Sequence, residues 1–266
     1  MSKSKSSGDL NAVFTAVAIP AAIVVGILLY MFVMGNPSNF EGGDPIKGEA
    51  LNILGLIHKG GYIVPLLIAV NIIVLTFFVE RFISLRKAKG KGSVDRFIRN
   101  VRGLLNSGQI GQAIKECDKQ QGSVANVLRA GLTKYETLAG DTSLDKEEKV
   151  TALKQELEEA TSLELPMLSK NLVVLSTCAS LGVLVGLLGT VSGMIRAFSA
   201  MAQAGAPDTT ALSAGISEAL WNTFFGIAGS ALAILFFNFF SNKIDNMTYG
   251  IDEAGFSVVQ TFAAKH

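Results

Sequence analysis

Cysteine and histidine are scarce in this chain of 266 residues, which contains two of each. Cys117 falls in a polar region and Cys178 in an apolar one, so the pattern predicts no disulfide framework. With so few thiols and imidazoles, no cluster of metal ligands is expected. A glycine-rich phosphate loop and a nucleophile elbow are also missing from the sequence. The sequence therefore predicts neither an enzyme nor a protein that carries a cofactor or a metal.

A large excess of charge of either sign is missing as well. The formal net charge is +1, and no basic stripe with interleaved aromatic residues is present, so nucleic acid is not an expected partner. Apolar sequence is abundant instead, because 49% of the residues are hydrophobic and the mean hydropathy is +0.42. The apolar residues are concentrated in separate long blocks, which is typical of transmembrane helices.

These blocks predict an all-α polytopic membrane protein with four transmembrane helices and a helical cytoplasmic insertion. The first block also has the order of charge and apolar run found in a signal peptide, but it is longer than an h-region and no small-x-small cleavage site follows it. The predicted segments are the N-terminus with an extra first span (1–34), an outer loop (35–61), the second span (62–79), the cytoplasmic region (80–171), the third span (172–200), an outer turn (201–211), the fourth span (212–241) and a cytoplasmic tail (242–266).

Basic residues follow the second span closely, and this bias is the mark of the cytoplasmic side of a membrane protein. Because these charges adjoin a membrane helix, anionic lipids at the cytoplasmic surface are nearer partners than nucleic acid. An even number of spans then puts both termini in the cytoplasm. The basic residues are Arg81, Arg86, Lys87, Lys89, Lys91, Arg96, Arg99 and Arg102.

Small residues line one face of each of the last two spans. Their spacing of three or four residues places them on one side of a helix, where another backbone can approach closely. The small positions are Gly182, Gly186, Gly189 and Gly193 in the third span, and Gly215, Ala219, Thr223, Gly226 and Ser230 in the fourth. Each span therefore offers a small, weakly polar face to a neighbouring helix or to water.

Three polar residues on these spans are candidates for an ion path. Thr190 and Thr223 lie near mid-span, where a threonine either bonds a carbonyl of its own helix or supports a water chain. Glu218 lies near the start of the fourth span, where it is either a functional group or a carboxylate that stabilises a helix N-terminus. Arg196, near the outer end of the third span, is expected to extend outward to the membrane surface.

The segments LLGTVSGMIRAF and GISEALWNTFFGIA together resemble the two signature helices of the MotA/TolQ/ExbB proton-channel family, especially its ExbB and TolQ branches. KGGYIVPLLIAVNIIVLTFFVERF is similar to the family's first core helix, with its closing Glu80–Arg81 pair. The resemblance implies that Thr190 and Thr223 are pore threonines and that Glu218 lies near the outer pore mouth. The N-terminal span precedes the resembling region and receives no role from it.

The resemblance also implies an assembly in the bacterial inner membrane. Family members are expected to form a homopentamer around a dimer of single-span partners resembling ExbD or TolR, which act on a TonB-like or TolA-like protein. The partner helix brings an aspartate, and the spans of this chain have no Asp, Glu, His or Lys at mid-depth. We therefore expect a ring subunit of an ion-driven motor. The alternatives are a non-conducting scaffold, a motility-type stator of the same family and a self-sufficient channel.

Overall fold

The computed structural model describes residues 3–203 and 209–265, and within them it contains helices and no β-strand. The helices are α1 (Lys3–Leu28), α2 (Ile53–His58), α3 (Val64–Ala88), α4 (Val94–Asn106), α5 (Ile110–Gln120), α6 (Ser123–Gly140), α7 (Lys146–Ser169), α8 (Leu172–Gln203) and α9 (Thr209–Lys265). In the described part of the chain, four helical segments are long and apolar enough to cross a membrane. They are Val13–Met34, Val64–Ala88, Lys146–Ser199 and Leu212–Lys265. The prediction of an all-α, multi-pass membrane protein is confirmed.

The chain forms two compact units. The first consists of the residues up to Val79 together with Val173–Phe237, and the second consists of Glu80–Leu172 together with the chain from Asn238 onward. The first unit therefore holds most of the apolar helical sequence, and the second holds the short amphipathic helices.

In the first unit, α1 packs closely on α3. A Cβ atom on Gly26 of α1 would lie 2.7 Å from the carbonyl oxygen of Pro65, so the two backbones are nearly in contact. The ring of Phe14 meets the ring of Phe77 edge-on, with centroids 6.0 Å apart. The N-terminal helix is thus an integral part of this unit.

A π-helical turn, Leu29–Met34, extends α1 and is tied to the loop that follows. The Asn39 side chain is buried and donates to the carbonyls of Val33 and Met34 at 2.8 and 2.9 Å, which satisfies groups that the helix end leaves free. The Tyr30 ring stacks on His58 at 4.5 Å, and its hydroxyl donates to the His58 carbonyl at 3.0 Å. These contacts fix the segment that leads into α3.

The second unit has a core of large apolar side chains. The sequence pattern of α4 predicts an apolar face at 94–105, and Phe97, Ile98, Val101 and Leu105 are buried accordingly. These residues join buried residues of α5, α6 and α7 and of the Ile251–Phe262 stretch of α9 in one cluster. The Arg81 guanidinium is buried, and it binds the Glu80 carboxylate through two 2.6 Å bonds and the Leu168 carbonyl at 3.2 Å.

Two helix boundaries can be compared with the segments expected from sequence. The helical run towards the third span is interrupted at Lys170–Asn171, where Asn171 has φ +62°, so α7 and α8 are separate helices. The fourth span and the tail are one helix, since α9 continues from Thr209 to Lys265 without a break. The expected turn at 201–211 includes residues 204–208, which lie outside the described residues.

Candidate ion pathway at the contact between α8 and α9

The small-residue faces of α8 and α9 pack against each other within the chain. A Cβ on Gly186 would lie 3.0 Å from the Asn222 carbonyl oxygen and 3.1 Å from the Gly226 Cα. The other glycines of the two faces, Gly182, Gly189, Gly193 and Gly215, are equally close to the opposite helix, and Ala219 lies against Gly193. Because each face covers the other, these positions bring the two helices of this chain into close contact.

The Thr190 and Thr223 hydroxyls meet across this contact, and they hydrogen-bond to each other. Thr190 also donates to the Gly186 carbonyl at 3.1 Å and approaches the Ala219 carbonyl at 3.3 Å. Thr223 reaches the same Ala219 carbonyl at 3.2 Å. Both threonines are partly exposed. Carbonyl bonding within the helix and the hydroxyl pair therefore coexist, on a side of the contact that a neighbouring helix or water can reach.

Glu218 forms an ion pair with Arg196, and this contact brings α8 and α9 together towards one end of the spans. The carboxylate is buried, with 8% of the residue exposed, whereas the Arg196 side chain is 46% exposed. The guanidinium also lies over the Tyr62 ring, 5.1 Å from its centroid. The expectation for Arg196 from the sequence did not include this ion pair.

A glycine turn before α3 closes over Glu218 and its neighbour Asn222. Gly61 has φ +82°, a conformation that favours glycine, and the Glu218 carboxylate occupies the space that a side chain there would need. The Gly60 carbonyl accepts a 3.0 Å hydrogen bond from the Asn222 side chain. The turn thus positions both polar side chains of α9.

Sequence reasoning singled out Glu218 and Thr223 but missed Asn222, which lies between them on α9. Asn222 is fully buried, and it packs against Gly189 of α8. A signal for it is present in the sequence, because Glu218, Asn222, Gly226 and Ser230 recur every four residues and share one helix face.

The chemistry available at this contact is limited to hydroxyls, one amide and one ion pair. In the described residues no group of three or more His, Cys, Asp or Glu side chains is arranged to hold a metal ion. Hydroxyls and amides can orient water, but they do not exchange charge at neutral pH.

Comparison with known proteins identifies the family. A profile of the MotA/TolQ/ExbB proton channel family matches residues 119–253, just over half of the chain. The Tol-Pal system protein TolQ of Pseudomonas aeruginosa is 27% identical over 205 residues, which cover 75% of this chain and 87% of that protein. A putative ExbB homolog of Methanothermobacter thermautotrophicus is 24% identical over 203 residues, or 76% of this chain and 68% of that protein.

A putative ExbB-like biopolymer transport protein of Synechocystis sp. is more similar over a shorter stretch. It is 37% identical over 92 residues, which cover 34% of this chain and 44% of that protein, so the match spans less than half of the relative. The resemblance seen in the sequence motifs is confirmed by these matches. The family profile matches more than half of this chain, and the chain has the apolar helices of a membrane protein. This chain therefore belongs to the MotA/TolQ/ExbB proton channel family.

Proposed function

We propose that this chain is the large ring subunit of a motor driven by the ion motive force in the bacterial inner membrane. In this function several copies, five by family resemblance, surround a dimer of single-span partners resembling ExbD or TolR. The partner helix supplies the intramembrane aspartate, and the ion flux is converted into work on a TonB-like or TolA-like protein. Support comes from the family membership, from relatives named ExbB and TolQ, and from the lack of a mid-span acid in this chain.

The observation that carries the proposal is the hydroxyl pair of Thr190 and Thr223 on the partly exposed side of the α8–α9 contact. Repeated around a ring, these pairs would surround the partner aspartate and orient water as it gains and loses a proton. By the same resemblance Glu218 would attract protons at the outer entrance, where it is paired with Arg196. The driving force is about 2.3 kcal/mol per charge per 100 mV of membrane potential.

The threonine proposal is tested by replacing each hydroxyl with a methyl group of the same shape. Thr190→Val and Thr223→Val are each expected to lower proton flux about tenfold, equivalent to roughly 1.4 kcal/mol, because one hydrogen-bonding group of the path is lost. Flux is measured in proteoliposomes that contain the chain and its single-span partner. Thr177→Val is the matched control, since Thr177 lies on α8 and bonds only the Val173 carbonyl among its described contacts, at 2.8 Å.

Retention of full flux by both pore variants would contradict the assignment of the threonines. The partner requirement is tested separately, because the chain reconstituted alone is expected to conduct no protons. Flux from the chain alone would instead support a self-sufficient channel. Native mass spectrometry of the complex counts the copies of each subunit and tests the expected ratio of five to two.

A non-conducting scaffold remains the second candidate, because the close packing of α8 on α9 is also what a purely structural membrane subunit needs. If the chain is a scaffold, the Thr223→Val variant should still assemble and the complex should still do work on its partner protein. If the chain forms an ion path, the variant should still assemble, but the complex should no longer do this work. Within the ring proposal, a motility-type stator differs from the ExbB or TolQ type in the protein on which it acts.

The orientation of the chain is part of the same proposal. Both termini and residues 80–171 would lie in the cytoplasm, where the basic residues that follow α3 contact anionic lipids. The loop at 35–61 would face the periplasm. Protease treatment of inverted and right-side-out vesicles tests this orientation, because only inverted vesicles are expected to be cut between residues 80 and 171.

A further inference from the structure

We infer that the Asn222 side chain binds an internal water molecule, which links the Glu218–Arg196 ion pair to the Thr190–Thr223 hydroxyl pair. The inference assigns Asn222 as a positioning residue of the ion path. Its functional part rests on the proposed function, whereas the water site itself does not depend on it.

The first observation is an acceptor that the described protein atoms leave unsatisfied. Asn222 is 0% exposed, and its Nδ2 donates to the Gly60 carbonyl at 3.0 Å. No hydrogen-bond donor among the described residues reaches its Oδ1, which is buried. Exchanging the positions of the amide oxygen and nitrogen still leaves polar atoms unpaired. The hydrogen bond to the Gly60 carbonyl is then lost, and the two N–H groups of the amide are buried without an acceptor. Since lipid offers no hydrogen bonds, this acceptor needs a donor from elsewhere.

The second observation is the position of Asn222 in the contact. Its side chain packs on Gly189, where an added Cβ would lie 2.5 Å from Asn222 Cβ and 2.6 Å from its Cγ. Thr190 follows Gly189 on α8, and Thr223 follows Asn222 on α9. The buried amide and the partly exposed hydroxyl pair are therefore side by side at one level of the spans. One helical turn from Asn222 lies the Glu218 carboxylate.

Water is the donor whose chemistry fits this place. An internal water is stable when it has two or more polar partners, and it commonly satisfies a buried group that the protein leaves unpaired. Besides Asn222 Oδ1, the polar groups within one turn include the Glu218 carboxylate and the hydroxyls of Thr190 and Thr223. The ion pair and the hydroxyl pair therefore both have polar groups within one helical turn of a water bound at Asn222.

Ser230 offers an internal comparison, because its buried Oγ also has no partner among the described residues. A serine hydroxyl can rotate to bond the carbonyl four residues earlier, here that of Gly226, as Thr190 does with Gly186. The amide oxygen of Asn222 cannot be satisfied by a backbone carbonyl, because a carbonyl oxygen can only accept a hydrogen bond. The comparison therefore leaves Asn222, and not Ser230, in need of an outside donor.

Water-edited solid-state NMR of the complex in lipid tests the site directly. In protein labelled with ¹³C at asparagine and alanine, magnetisation from water is expected to reach Asn222 Cγ quickly, and to reach Cβ of Ala233 slowly, because Ala233 is equally buried on α9 and apolar. Loss of one asparagine signal in the Asn222→Leu variant assigns the resonance. Equal, slow transfer to both carbons would overturn the inference.

The functional link is tested by proton flux in the same proteoliposomes as the threonine variants. Asn222→Leu is expected to lower flux about as much as Thr223→Val, whereas Ser230→Ala is expected to leave it unchanged. A hydrated Asn222 whose leucine variant conducts normally would overturn its role in the path. A dry Asn222 in a protein that still needs Thr223 would overturn the inference and leave the proposed function standing. Full flux in both threonine variants would overturn the proposed function, while the NMR experiment would still decide the water site.

Discussion

The α8–α9 contact of the first unit and the core of the second unit are packed in opposite ways. Glycine and alanine bring two backbones together in the first, with polar side chains between them. Phenylalanine, leucine, valine and tyrosine fill the second, and Phe262 is packed edge-on against Tyr135 with centroids 4.7 Å apart. In lipid, burying a large apolar side chain gains little, so helices associate through close approach and hydrogen bonds. In water, removing apolar area from the solvent is the main gain.

The two cysteines provide one reporter for each region, because Cys117 is buried in the core of the second unit and Cys178 is buried on α8 in the first. A maleimide labels each thiol only when its surroundings open. The labelling rate at each cysteine, read by mass spectrometry of protein in detergent micelles, therefore reports local stability.

The largest expected effect on stability comes from truncating one large side chain in the core of the second unit. Phe262 is fully buried, so Phe262→Ala should cost about 4 kcal/mol through lost burial and the cavity that remains. Labelling of Cys117 should then be about a thousandfold faster, since each tenfold step corresponds to roughly 1.4 kcal/mol. Leu188→Ala is the matched control in the first unit, because Leu188 on α8 is 63% exposed. If Leu188→Ala accelerated the labelling of Cys178 as much as Phe262→Ala accelerates that of Cys117, the proposed difference in packing between the two regions would be wrong.

A smaller effect is expected from adding a methyl group where backbones touch. In Gly226→Ala the new Cβ would lie 2.5 Å from the Gly182 carbonyl oxygen and 2.9 Å from the Gly186 Cα, so α8 and α9 must separate. We expect a cost of about 2 kcal/mol and a roughly thirtyfold faster labelling of Cys178.

The same change, glycine to alanine, should have the opposite effect on stability in the second unit. Gly103 lies on α4 with open space around it, so Gly103→Ala should stabilise the helix by about 1 kcal/mol and slow the labelling of Cys117. If Gly226→Ala also slowed labelling at Cys178, close backbone approach would not be what holds α8 and α9 together.

An effect of about the same size, over one pH unit, is a dependence on pH that belongs to the second unit. Burial raises the pKa of the Cys117 thiol to about 12, and the charge of Asp118 adds to the shift. The unfolded thiol has a pKa of about 8.5, so above that pH the unfolded chain loses a proton that the folded chain keeps. Stability is therefore complete below about pH 8.5 and falls by roughly 1.4 kcal/mol per pH unit as the pH rises towards 12.

Denaturant unfolding between pH 8.5 and 9.5 measures this slope. The pKa of Tyr135 is raised by burial as well, but its contribution begins only above about pH 10, the ordinary pKa of tyrosine. Cys117→Ala should reduce the slope within the lower window. An unchanged slope in that variant would show that another group carries the pH dependence.

Much of the fold could be predicted because it depends on local patterns. Long apolar runs predict spans, and the three- and four-residue spacing in α4 predicts the face that carries Phe97 and Val101. The conformation of Asn171, which separates α7 from α8, could not be predicted in the same way. Its positive φ is a local backbone conformation that the surrounding residues do not demand by pattern.

The candidate site was predicted in part. Thr190, Thr223 and Glu218 stand out as polar residues in apolar helices, and their roles as an ion path stay a prediction. The partners of these residues were not predictable, because Arg196 and Glu218 are 22 positions apart and Asn222 and Gly60 are 162 positions apart. Asn222 was missed because an amide inside a span looks the same in sequence whether it is satisfied or not.

The sequence by itself determined that this is a four-span membrane protein of the MotA/TolQ/ExbB family, with small residues on one face of each of its last two spans. Helical periodicity and hydropathy are enough for that, since both are properties of neighbouring residues. Only the tertiary structure decided that the two small faces cover each other, that Arg196 turns to Glu218, and that the Gly60–Gly61 turn closes over Asn222. Those contacts join distant parts of the chain, and which groups meet is set by how the helices pack.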